Sequence, residues 1–448
     1  MFICPTWEDV HRRKMKARAF RFPPVNLTLL AAMTPEEWEV SIVDENVDDI
    51  DFEADVDLVG ITTMTATAPR AYAIADRFRA RGVKVVMGGM HASAMPQEAL
   101  QHADAVVVGE AEGCWHKVLE DFKRREMRGI YRSERFPDLA GLPIPRRDLL
   151  RKKAYLTTNT IQTARGCPFG CSFCAVSYFF GRKYRMRPVK EVIAEIEAMG
   201  SKFVGFLDDN IAGDRRYAKE LFQALASEGI MWAGQASTTI ARDRELLKLA
   251  QKSGCKGLFV GFESISEDSL GEVGKRFNRV EEYREVIKRF HDHGIVVEGA
   301  FIFGFDHDDL GVFERTLEFA KKSGLDLAQF GILTPLPGTP LRARLEREGR
   351  IISNDWSKYN IGHAVFRPKN MTPEQLEEGT QWAWLQFYSS PSILARLFKL
   401  VGRMPSLLLP LLVINAGYHK MVYDAYGRKG WDRWDRRSAS GLESSGSE

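Results

Sequence analysis

Short apolar runs that alternate with helical segments are the feature that most constrains the fold of this chain. In the first part of the chain the runs EVSIVDEN, DLVGITTMT, KVVMGGMHA and AVVVGEAE are rich in β-branched residues and end in Gly, Asp, Thr or Glu. Helical segments such as APRAYAIADRFRARG and GCWHKVLEDFKRR lie between or after them. Continuous apolar strands separated by helices predict a parallel, doubly wound sheet with a site at the carboxyl ends of its strands.

A second series of such units begins near Thr160. Its strand candidates are TIQTARG, FVGFLDD, MWAGQAS, GLFVGFES, VVEGAFIFGF and LAQFGILTPL, and neighbouring candidates are separated by helical segments such as VKEVIAEIEAMG. Six βα units in series predict a partial (β/α)6 barrel, because eight units close a complete one. After Arg350 the pattern becomes helical and rich in aromatic residues. The expected fold class is therefore α/β: a Rossmann-like N-terminal domain, a partial barrel and a helical C-terminal region.

These changes of pattern set the expected domain limits. A linker is expected where prolines and charges occur without periodicity, and a disordered tail where the chain ends in small and polar residues. The limits are residues 1–140 for the N-terminal domain, 141–158 for the linker, 159–345 for the barrel, 346–436 for the helical domain and 437–448 for the tail.

Charge and cysteine usage narrow the functional classes. The formal net charge is only +3, and basic and acidic residues are interspersed, which argues against a nucleic-acid partner. The start of the chain, MFICPTWEDVHRRKMK, lacks a basic leader followed by an apolar run, so a cytoplasmic location is expected. In a reducing compartment clustered cysteines indicate metal binding or catalysis. The isolated Cys4, Cys114 and Cys255 are expected to be packing residues.

The other three cysteines lie together in the segment TARGCPFGCSFCAV, after the first predicted barrel strand. Cys167, Cys171 and Cys174 have the spacing C-x-x-x-C-x-x-C. Structural zinc prefers four ligands, and no nearby Cys or His offers a fourth. A cubane iron–sulfur cluster held by three cysteines leaves one iron open for a substrate or cofactor. The spacing favours such a cluster over three loop cysteines that bind no metal.

This loop, with the aromatic Phe173 just before its last cysteine, resembles the radical S-adenosylmethionine (SAM) superfamily. The resemblance extends from about Thr160 to Pro340. It implies a 4Fe–4S cluster whose open iron binds the amino and carboxylate groups of SAM, with Phe173 at the cofactor. It also implies that an electron from an external donor of the flavodoxin or ferredoxin type cleaves SAM to a 5′-deoxyadenosyl radical.

The same resemblance implies SAM contacts at the ends of the second and fourth barrel strands. In FLDDN, Asp208, Asp209 or Asn210 would accept hydrogen bonds from the SAM ammonium group, and capping of the next helix is the alternative. In GFES, Glu263 and Ser264 would lie near the ribose hydroxyls, and a surface salt bridge is the alternative for the carboxylate.

Weaker SAM candidates end the third, fifth and sixth strands. Ser237 and Thr238 could contact the cofactor or cap a helix with equal plausibility. Gly304 and Gly338 would let the backbone approach the adenine, and Pro337 would stiffen that turn.

The N-terminal region resembles the cobalamin-binding Rossmann-like domain found upstream of many radical SAM barrels. The motif D-x-H-x-x-G, whose histidine coordinates cobalt in many such domains, is absent, and His91 is not assigned as a ligand. A domain that keeps the fold without the cofactor is the alternative. The residues expected at the cobalamin are Thr62, Thr63, Gly88, Gly89, Ser93, Gly109 and Glu110.

The apolar segment SILARLFKLVGRMPSLLLPLLVINAGYHKMVY carries interspersed cations. Its longest uncharged run is about fifteen residues and contains Pro410, which is too short for a comfortable membrane span. Packing or a substrate lid is favoured over peripheral contact with a membrane surface.

The leading function is methylation of an unactivated carbon in a small or lipophilic substrate by a radical SAM enzyme that uses cobalamin. The alternatives are a radical cyclase, oxidase or rearrangement enzyme without methyl transfer, and a non-enzymatic iron–sulfur or cobalamin sensor. The strand-end motifs GFES and PGTP argue against a sensor, which has no need of both. No residue is assigned to catalysis.

Overall fold

The computed structural model describes residues 1–8, 11, 13–16, 22–402 and 404–427. The chain divides into two compact units. The first unit comprises Met1–Asp214, Pro335–Arg344 and Ser353–Asn360, and the second Arg215–Thr334, Leu345–Ile352 and Ile361–Glu448. The domain limits expected from the sequence differ from this division and stay a prediction. The expected tail at 437–448 lies outside the described residues.

The first sheet lies in the first unit and contains six parallel strands in the order β2-β1-β3-β4-β5-β6. Strands β2 to β5 fall on the four predicted runs. The strands β1 and β6 were not predicted. Strand β1 has three residues at the start of the chain, and two of the four residues of β6 are exposed. The bounds from β1 to β6 are Phe2–Cys4, Ile42–Asp44, Leu58–Thr62, Lys84–Gly88, Ala105–Val108 and Gly129–Arg132.

Helices cover both faces of this sheet. Successive strand residues point to opposite faces, and both faces are apolar: Val85 belongs to one core cluster and Val86 to the other. The first cluster includes Phe78 of α2, and the second includes Trp115 of α5. This is the doubly wound arrangement that the sequence predicts. The bounds from α1 to α5 are Val25–Met33, Ala68–Ala80, Met90–Ala94, Pro96–His102 and Trp115–Lys123.

The rest of the first unit begins the second series of strands. Strands β7 and β10 pair in parallel, and β8 pairs with β9 in antiparallel orientation. The predicted strand TIQTARG is therefore two short strands, and the β8–β9 pair brackets the cysteine segment. The bounds are Thr160–Ile161 for β7, Ala164–Arg165 for β8, Arg185–Met186 for β9 and Phe203–Phe206 for β10, with α6 at Ala175–Phe179 and α7 at Val189–Met199.

The expected linker packs onto the first unit. Arg147 donates to the carboxylate of buried Glu195 and to the carbonyl of Thr160. Tyr155 is buried, and its hydroxyl donates to Asp44 over 3.1 Å. This segment is therefore fixed by hydrogen bonds although it lacks long regular elements.

In the second unit four parallel strands pair in sequence order, from β11 to β14. Helices separate them in the chain, as the sequence predicts. The strand bounds are Met231–Ala236, Cys255–Glu263, Val296–Phe303 and Leu327–Ile332, and the helices from α8 to α12 are Arg215–Leu225, Arg244–Lys252, Glu267–Glu272, Tyr283–Asp292 and Val312–Lys322.

The C-terminal region is helical and packs against β14. The indole of Trp384 donates to the carbonyl of Phe330 over 2.6 Å, and the Tyr388 hydroxyl donates to that of Ala328 over 2.9 Å. No helix among the described residues is long and apolar enough to cross a membrane. The expected α/β fold class with a helical C-terminal region is confirmed. The bounds from α13 to α16 are Pro340–Arg347, Pro373–Phe387, Ser390–Val401 and Leu408–Tyr426.

Candidate functional site

The cysteine loop, residues 166–174, joins β8 to α6 in the first unit. Cys171 is buried, and Cys167 and Cys174 are half-buried. Burial raises the pKa of the Cys174 thiol, and the nearby Asp209 and Cys167 raise it further. A metal must therefore displace a proton from this thiol when it binds.

The donor set of the loop fits the predicted cluster. Three thiolates are the soft ligands that iron–sulfur clusters take. Among the residues that the structure describes, no three His, Cys, Asp or Glu side chains are grouped as the ligands of a single metal ion would be. Cys167, Cys171 and Cys174 would each hold one iron of a multi-iron cluster.

Asp208 supports the start of the cysteine loop. Its Oδ1 accepts hydrogen bonds from the backbone amide of Thr163 at 2.9 Å, from the Thr163 hydroxyl at 2.8 Å and from the amide of Ala164. These bonds tie the end of β10 to the start of β8. Burial raises the pKa of Asp208 to about 7.

Two carboxylate oxygens at this strand end have no hydrogen-bond partner. They are Oδ2 of Asp208 and Oδ2 of Asp209, and both atoms are buried. Burial raises the pKa of Asp209 to about 6. Buried polar atoms are normally satisfied, so both oxygens fit a site for an ammonium donor such as that of SAM.

The alternative for this motif, capping of the next helix, does not hold. Helix α8 begins at Arg215, several residues beyond Asn210. The backbone carbonyl of Asn210 accepts a hydrogen bond from the Tyr184 hydroxyl at 2.9 Å. The unpartnered oxygens belong to Asp208 and Asp209, and a contact of the Asn210 side chain with SAM stays a prediction.

The turn at Pro337 and Gly338 lies against the cysteine loop within the same unit. The amide of Leu341 donates to the carbonyl of Ser172 over 3.0 Å. Gly338 has φ +81°, and a Cβ there would lie 2.7 Å from the Tyr178 ring. Phe173 is half-buried in the adjoining loop. The structure thus brings these predicted residues near the cysteines.

In the second unit Glu263 forms a buried ion pair with Lys275. The expected alternative was a surface pair, but both side chains are buried. Glu263 has φ +64°, which is uncommon for a residue with a side chain, and the ladder to β13 is irregular at this point. The carboxylate is thus held at the strand end, and its predicted contact with the ribose stays a prediction.

The remaining predicted residues of the second unit have partners of their own. The Ser237 hydroxyl contacts that of Thr239 at 2.7 Å. Oγ of Ser264 accepts from the amide of Ser266, and Thr238 donates to Asn278 over 2.6 Å. These contacts favour supporting roles in place of the direct SAM contacts predicted.

Gly304 is required by packing within the second unit. A Cβ there would lie 2.8 Å from a methyl group of Leu376 in α14, and φ is +101°. Its amide donates to Asp308 over 2.9 Å. An approach of the adenine is not needed to explain this glycine.

At the carboxyl edge of the first sheet, three predicted cobalamin residues build the edge itself. Gly89 has φ +96°, and a Cβ there would lie 2.7 Å from the backbone N and O of Thr63. The Thr63 hydroxyl donates to the carbonyl of Gly88 and accepts from the amide of Ala92. Ser93 likewise links the carbonyl of Gly89 to the amide of Gly109. These contacts favour support of the edge in place of direct ligand contact.

The other predicted positions at this edge leave room for a ligand. Gly109 has φ +82°, and a Cβ there would meet no atom within 4 Å. A Cβ at Gly88 would make only ordinary contact with Val107 at 3.7 Å. Thr62 is half-buried, and its hydroxyl accepts from Asn26 at 2.8 Å. Of the predicted glycines at this edge, Gly109 has the most open surroundings.

Glu110 belongs to a buried ion cluster that the sequence did not reveal. Its carboxylate pairs with Arg165 of β8 and Arg185 of β9, and Arg165 also pairs with Glu112. None of the four side chains is more than 10% exposed. We call Glu110, Glu112, Arg165 and Arg185 the edge ion cluster. It connects the carboxyl edge of the first sheet to the two strands that bracket the cysteine loop.

His91 lies in a buried polar group next to this edge. Its Nε2 is 3.0 Å from the Tyr72 hydroxyl and 3.6 Å from Glu98. The ring packs edge-on against Trp356, whose indole donates to Glu98. These contacts support leaving His91 unassigned as a metal ligand.

Comparisons with known proteins match the N-terminal region and the region that contains the cysteine loop. The model of the radical SAM superfamily matches residues 161–320, and that of the B12 binding domain matches residues 15–118. Bacteriochlorophyllide d C-12(1)-methyltransferase of Chlorobaculum tepidum is 33% identical over 84% of this chain and 84% of its own. The anaerobic magnesium-protoporphyrin IX monomethyl ester cyclase of Cereibacter sphaeroides is 27% identical over 83% and 67%.

Among solved structures, the radical SAM methyltransferase TsrM of Kitasatospora setae, with cobalamin and a [4Fe-4S] cluster bound, has a similar fold. The TM-score is 0.65 at 18% identity, over 84% of each chain.

Proposed function

The chain belongs to the cobalamin-dependent radical SAM enzymes, and on that premise we propose that it methylates an unactivated carbon of a tetrapyrrole. Membership confirms the expected enzyme class and the expected cofactors, a 4Fe–4S cluster, SAM and cobalamin. When bound, the cluster and SAM supply a 5′-deoxyadenosyl radical and cobalamin supplies the methyl group.

One observation carries this function: the edge ion cluster joins the two cofactor-bearing parts of the first unit. Arg165 lies two residues before Cys167, and its partner Glu110 follows the open Gly109. A sensor needs one cofactor site, whereas a radical SAM enzyme that uses cobalamin needs two cofactors held in a constant geometry around one substrate, and the methyltransferase relatives favour methyl transfer among such enzymes. Buried, paired charges hold such a geometry because separating them would leave a charge buried alone.

The residues of the chain would then have distinct tasks. The three cysteines hold iron, and Asp208 fixes the start of their loop. The unpartnered oxygens of Asp208 and Asp209 receive the SAM ammonium group. Lys275 offsets the charge of Glu263, whose contact with the ribose hydroxyls stays a prediction. Gly88 and Gly109 give cobalamin access to the first sheet.

The names of two relatives support the proposed substrate class. The methyltransferase of Chlorobaculum tepidum and the cyclase of Cereibacter sphaeroides have names that specify tetrapyrroles, and the two proteins differ in reaction type. A shared substrate class across two reactions supports a large, flat and mainly apolar substrate for this chain too. This agrees with the lipophilic substrate expected from the sequence. The cytoplasmic location stays a prediction.

An external electron donor would dock beside the cysteine loop. The exposed Arg182 lies close to this loop, since a Cβ at Gly170 would be 2.9 Å from its guanidinium carbon. The exposed Lys183 follows it, and a Cβ at Gly166 would be 2.5 Å from its carbonyl oxygen. Two cations at the surface favour an acidic donor, because opposite charges speed productive encounter. A flavodoxin or ferredoxin with an acidic face fits this surface.

The test is anaerobic turnover of the reconstituted holoenzyme with SAM deuterated in its methyl group and bacteriochlorophyllide d as the probe. We expect the pigment to gain one trideuteromethyl group, with one S-adenosylhomocysteine and one 5′-deoxyadenosine formed per methyl, by mass spectrometry. Pigment oxidation or cyclisation with 5′-deoxyadenosine and no methyl gain would support the cyclase alternative. SAM cleavage with unchanged pigment would overturn the tetrapyrrole proposal.

A further inference from the structure

Helix α15 has a second apolar face that the second unit does not cover. Ile393, Leu397 and Leu400 are buried. Leu394 and Phe398 are 66% and 81% exposed, and Val401 continues this stripe one turn later. Spacings of four and three residues place these three side chains on one side of the helix.

Helix α16 repeats this arrangement beyond the short connection at 402–407. Leu411, Tyr418 and Val422 are buried. Leu409 and Val413 are 69% and 63% exposed, and Leu412 is exposed beside them. The two helices pack against each other, so both uncovered stripes belong to one helical hairpin. We call the exposed residues Leu394, Phe398, Val401, Leu409, Leu412 and Val413 the apolar face.

The charged residues of this hairpin are almost all basic. From residue 390 to residue 427 the only acidic residue is Asp424, whereas Lys399 and Lys420 are exposed cations. Residues 428–437, RKGWDRWDRR, directly follow α16 in the sequence and contain seven charged residues, of which five are basic. They also contain two tryptophans, the residue type enriched where a membrane meets water.

We propose that the apolar face inserts into one leaflet of a membrane that contains anionic lipids. Soluble proteins rarely leave such an apolar surface open to water, and an amphipathic helix flanked by cations is typical of segments that lie in the membrane interface. A second copy of the chain fits less well, because a two-fold contact at this face would bring the same cations together. The proposal does not depend on methylation: it concerns where the enzyme works.

The experiment is flotation of the full-length protein with vesicles of phosphatidylcholine alone or with about one third phosphatidylglycerol. We expect binding to the anionic vesicles and weaker binding as salt screens the cations. The double variant Leu394→Gln/Phe398→Gln should bind at least about tenfold more weakly, since two large apolar side chains no longer enter the lipid. The variant Leu310→Gln, at an exposed leucine outside the hairpin, should bind like the parent.

Helical content by circular dichroism and cluster absorbance show that the variants are folded. Equal binding of the parent and the double variant would overturn the proposal, as would the absence of binding to anionic vesicles. Sedimentation velocity tests the alternative that a second copy of the chain covers this face. If the parent forms a dimer, the double variant does not, and neither binds vesicles, the face is an interface between copies. Failure of methylation would leave the vesicle result unchanged, so the two proposals fail separately.

Discussion

Two strand-end regions of the first unit are both expected to hold a cofactor. They differ in whether their buried polar groups have hydrogen-bond partners within the protein. At the edge of the first sheet, the side chains of Thr63, Ser93 and Glu110 are bonded within the protein. At the end of β10, Asp208 and Asp209 each keep a buried oxygen without a partner. The acceptor and hydroxyl groups of the first region are satisfied, although Nε of Arg185 in the edge ion cluster has no partner, whereas the second region keeps two carboxylate oxygens that a bound cation can satisfy.

The largest effect should come from the cysteine loop. Cys171→Ala removes one of three thiolates, so we expect loss of the cluster and of SAM cleavage. Iron content and the absorbance at about 400 nm, where thiolate clusters absorb, measure the loss of the cluster. Cys114→Ala is the matched control, since Cys114 is buried in the apolar core of the same unit and should keep the cluster. Full iron content in Cys171→Ala would remove the cysteine from the ligand set.

The next largest effect should come from the edge ion cluster, if the stability of the first unit depends on it. Arg165→Met leaves Glu112 buried without this partner. This should lower the free energy of unfolding by about 3–5 kcal/mol. The matched control is Arg146→Met, which breaks an exposed pair with Asp148 and should cost at most about 1 kcal/mol. Urea unfolding of the cluster-free proteins measures both. Equal costs for the two variants would contradict the special role of the buried cluster.

A third prediction concerns the pH dependence of the second region. Burial raises the pKa of Asp208 to about 7, above the value near 3.9 of an unfolded aspartate. The folded state therefore holds a proton that the unfolded state has lost between about pH 4 and pH 7, and stability falls as pH rises through this window. The loss is about 1.4 kcal/mol per unit of pKa shift, a few kcal/mol in total.

Asp208→Asn mimics the protonated carboxyl and removes this dependence. Urea unfolding of the cluster-free parent and variant at several pH values should show a steeper fall in stability for the parent between about pH 4 and pH 7. Parallel curves over the whole range would show that Asp208 does not titrate in this window.

The smallest effect is expected from alanine at Gly89 or Gly109. The comparison tests which glycine supports the edge and which one lies at the ligand. Both Gly89 and Gly109 have positive φ, so alanine should lower the free energy of unfolding by at least about 1 kcal/mol at either position, and by more at Gly89, whose ψ of −176° is essentially restricted to glycine. Only at Gly89 does the added Cβ also clash with the backbone of Thr63. We expect Gly89→Ala to be the less stable variant and Gly109→Ala to lose more cobalamin, measured as stoichiometry in folded protein after desalting. The reverse order of cobalamin loss would place the ligand at Gly89.

The contrast between these regions also explains what the sequence could predict. The spacing of the three cysteines is local, so it indicates the cluster ligands without any knowledge of tertiary contacts. The apolar runs identified most strands. A glycine or serine after a strand, in contrast, looks the same whether it meets a ligand or a neighbouring backbone, and Gly89 and Ser93 illustrate this.

Interactions between distant residues were not predictable. Glu110 and Arg165 lie 55 positions apart, and neither has a local pattern that indicates a partner. Strand β1 was not predicted, because its pairing with β2 and β3 joins segments that are distant in the sequence, and the exposure of Phe398 depends on which neighbours α15 meets in the fold. The residues proposed to carry chemistry stand in local motifs, while the contacts that support them required the tertiary structure.

The antiparallel pair β8–β9 has a consequence for repair of the enzyme. Backbone hydrogen bonds close both ends of the cysteine segment, and Asp208 anchors its start through bonds that involve no cysteine. We therefore expect the segment to keep its course when a cluster is lost, in contrast to small domains that are unfolded until their metal arrives. An assembly system could then reload the loop on the folded protein after oxygen destroys a cluster. Oxidative damage to the metal would in that case not require replacement of the chain.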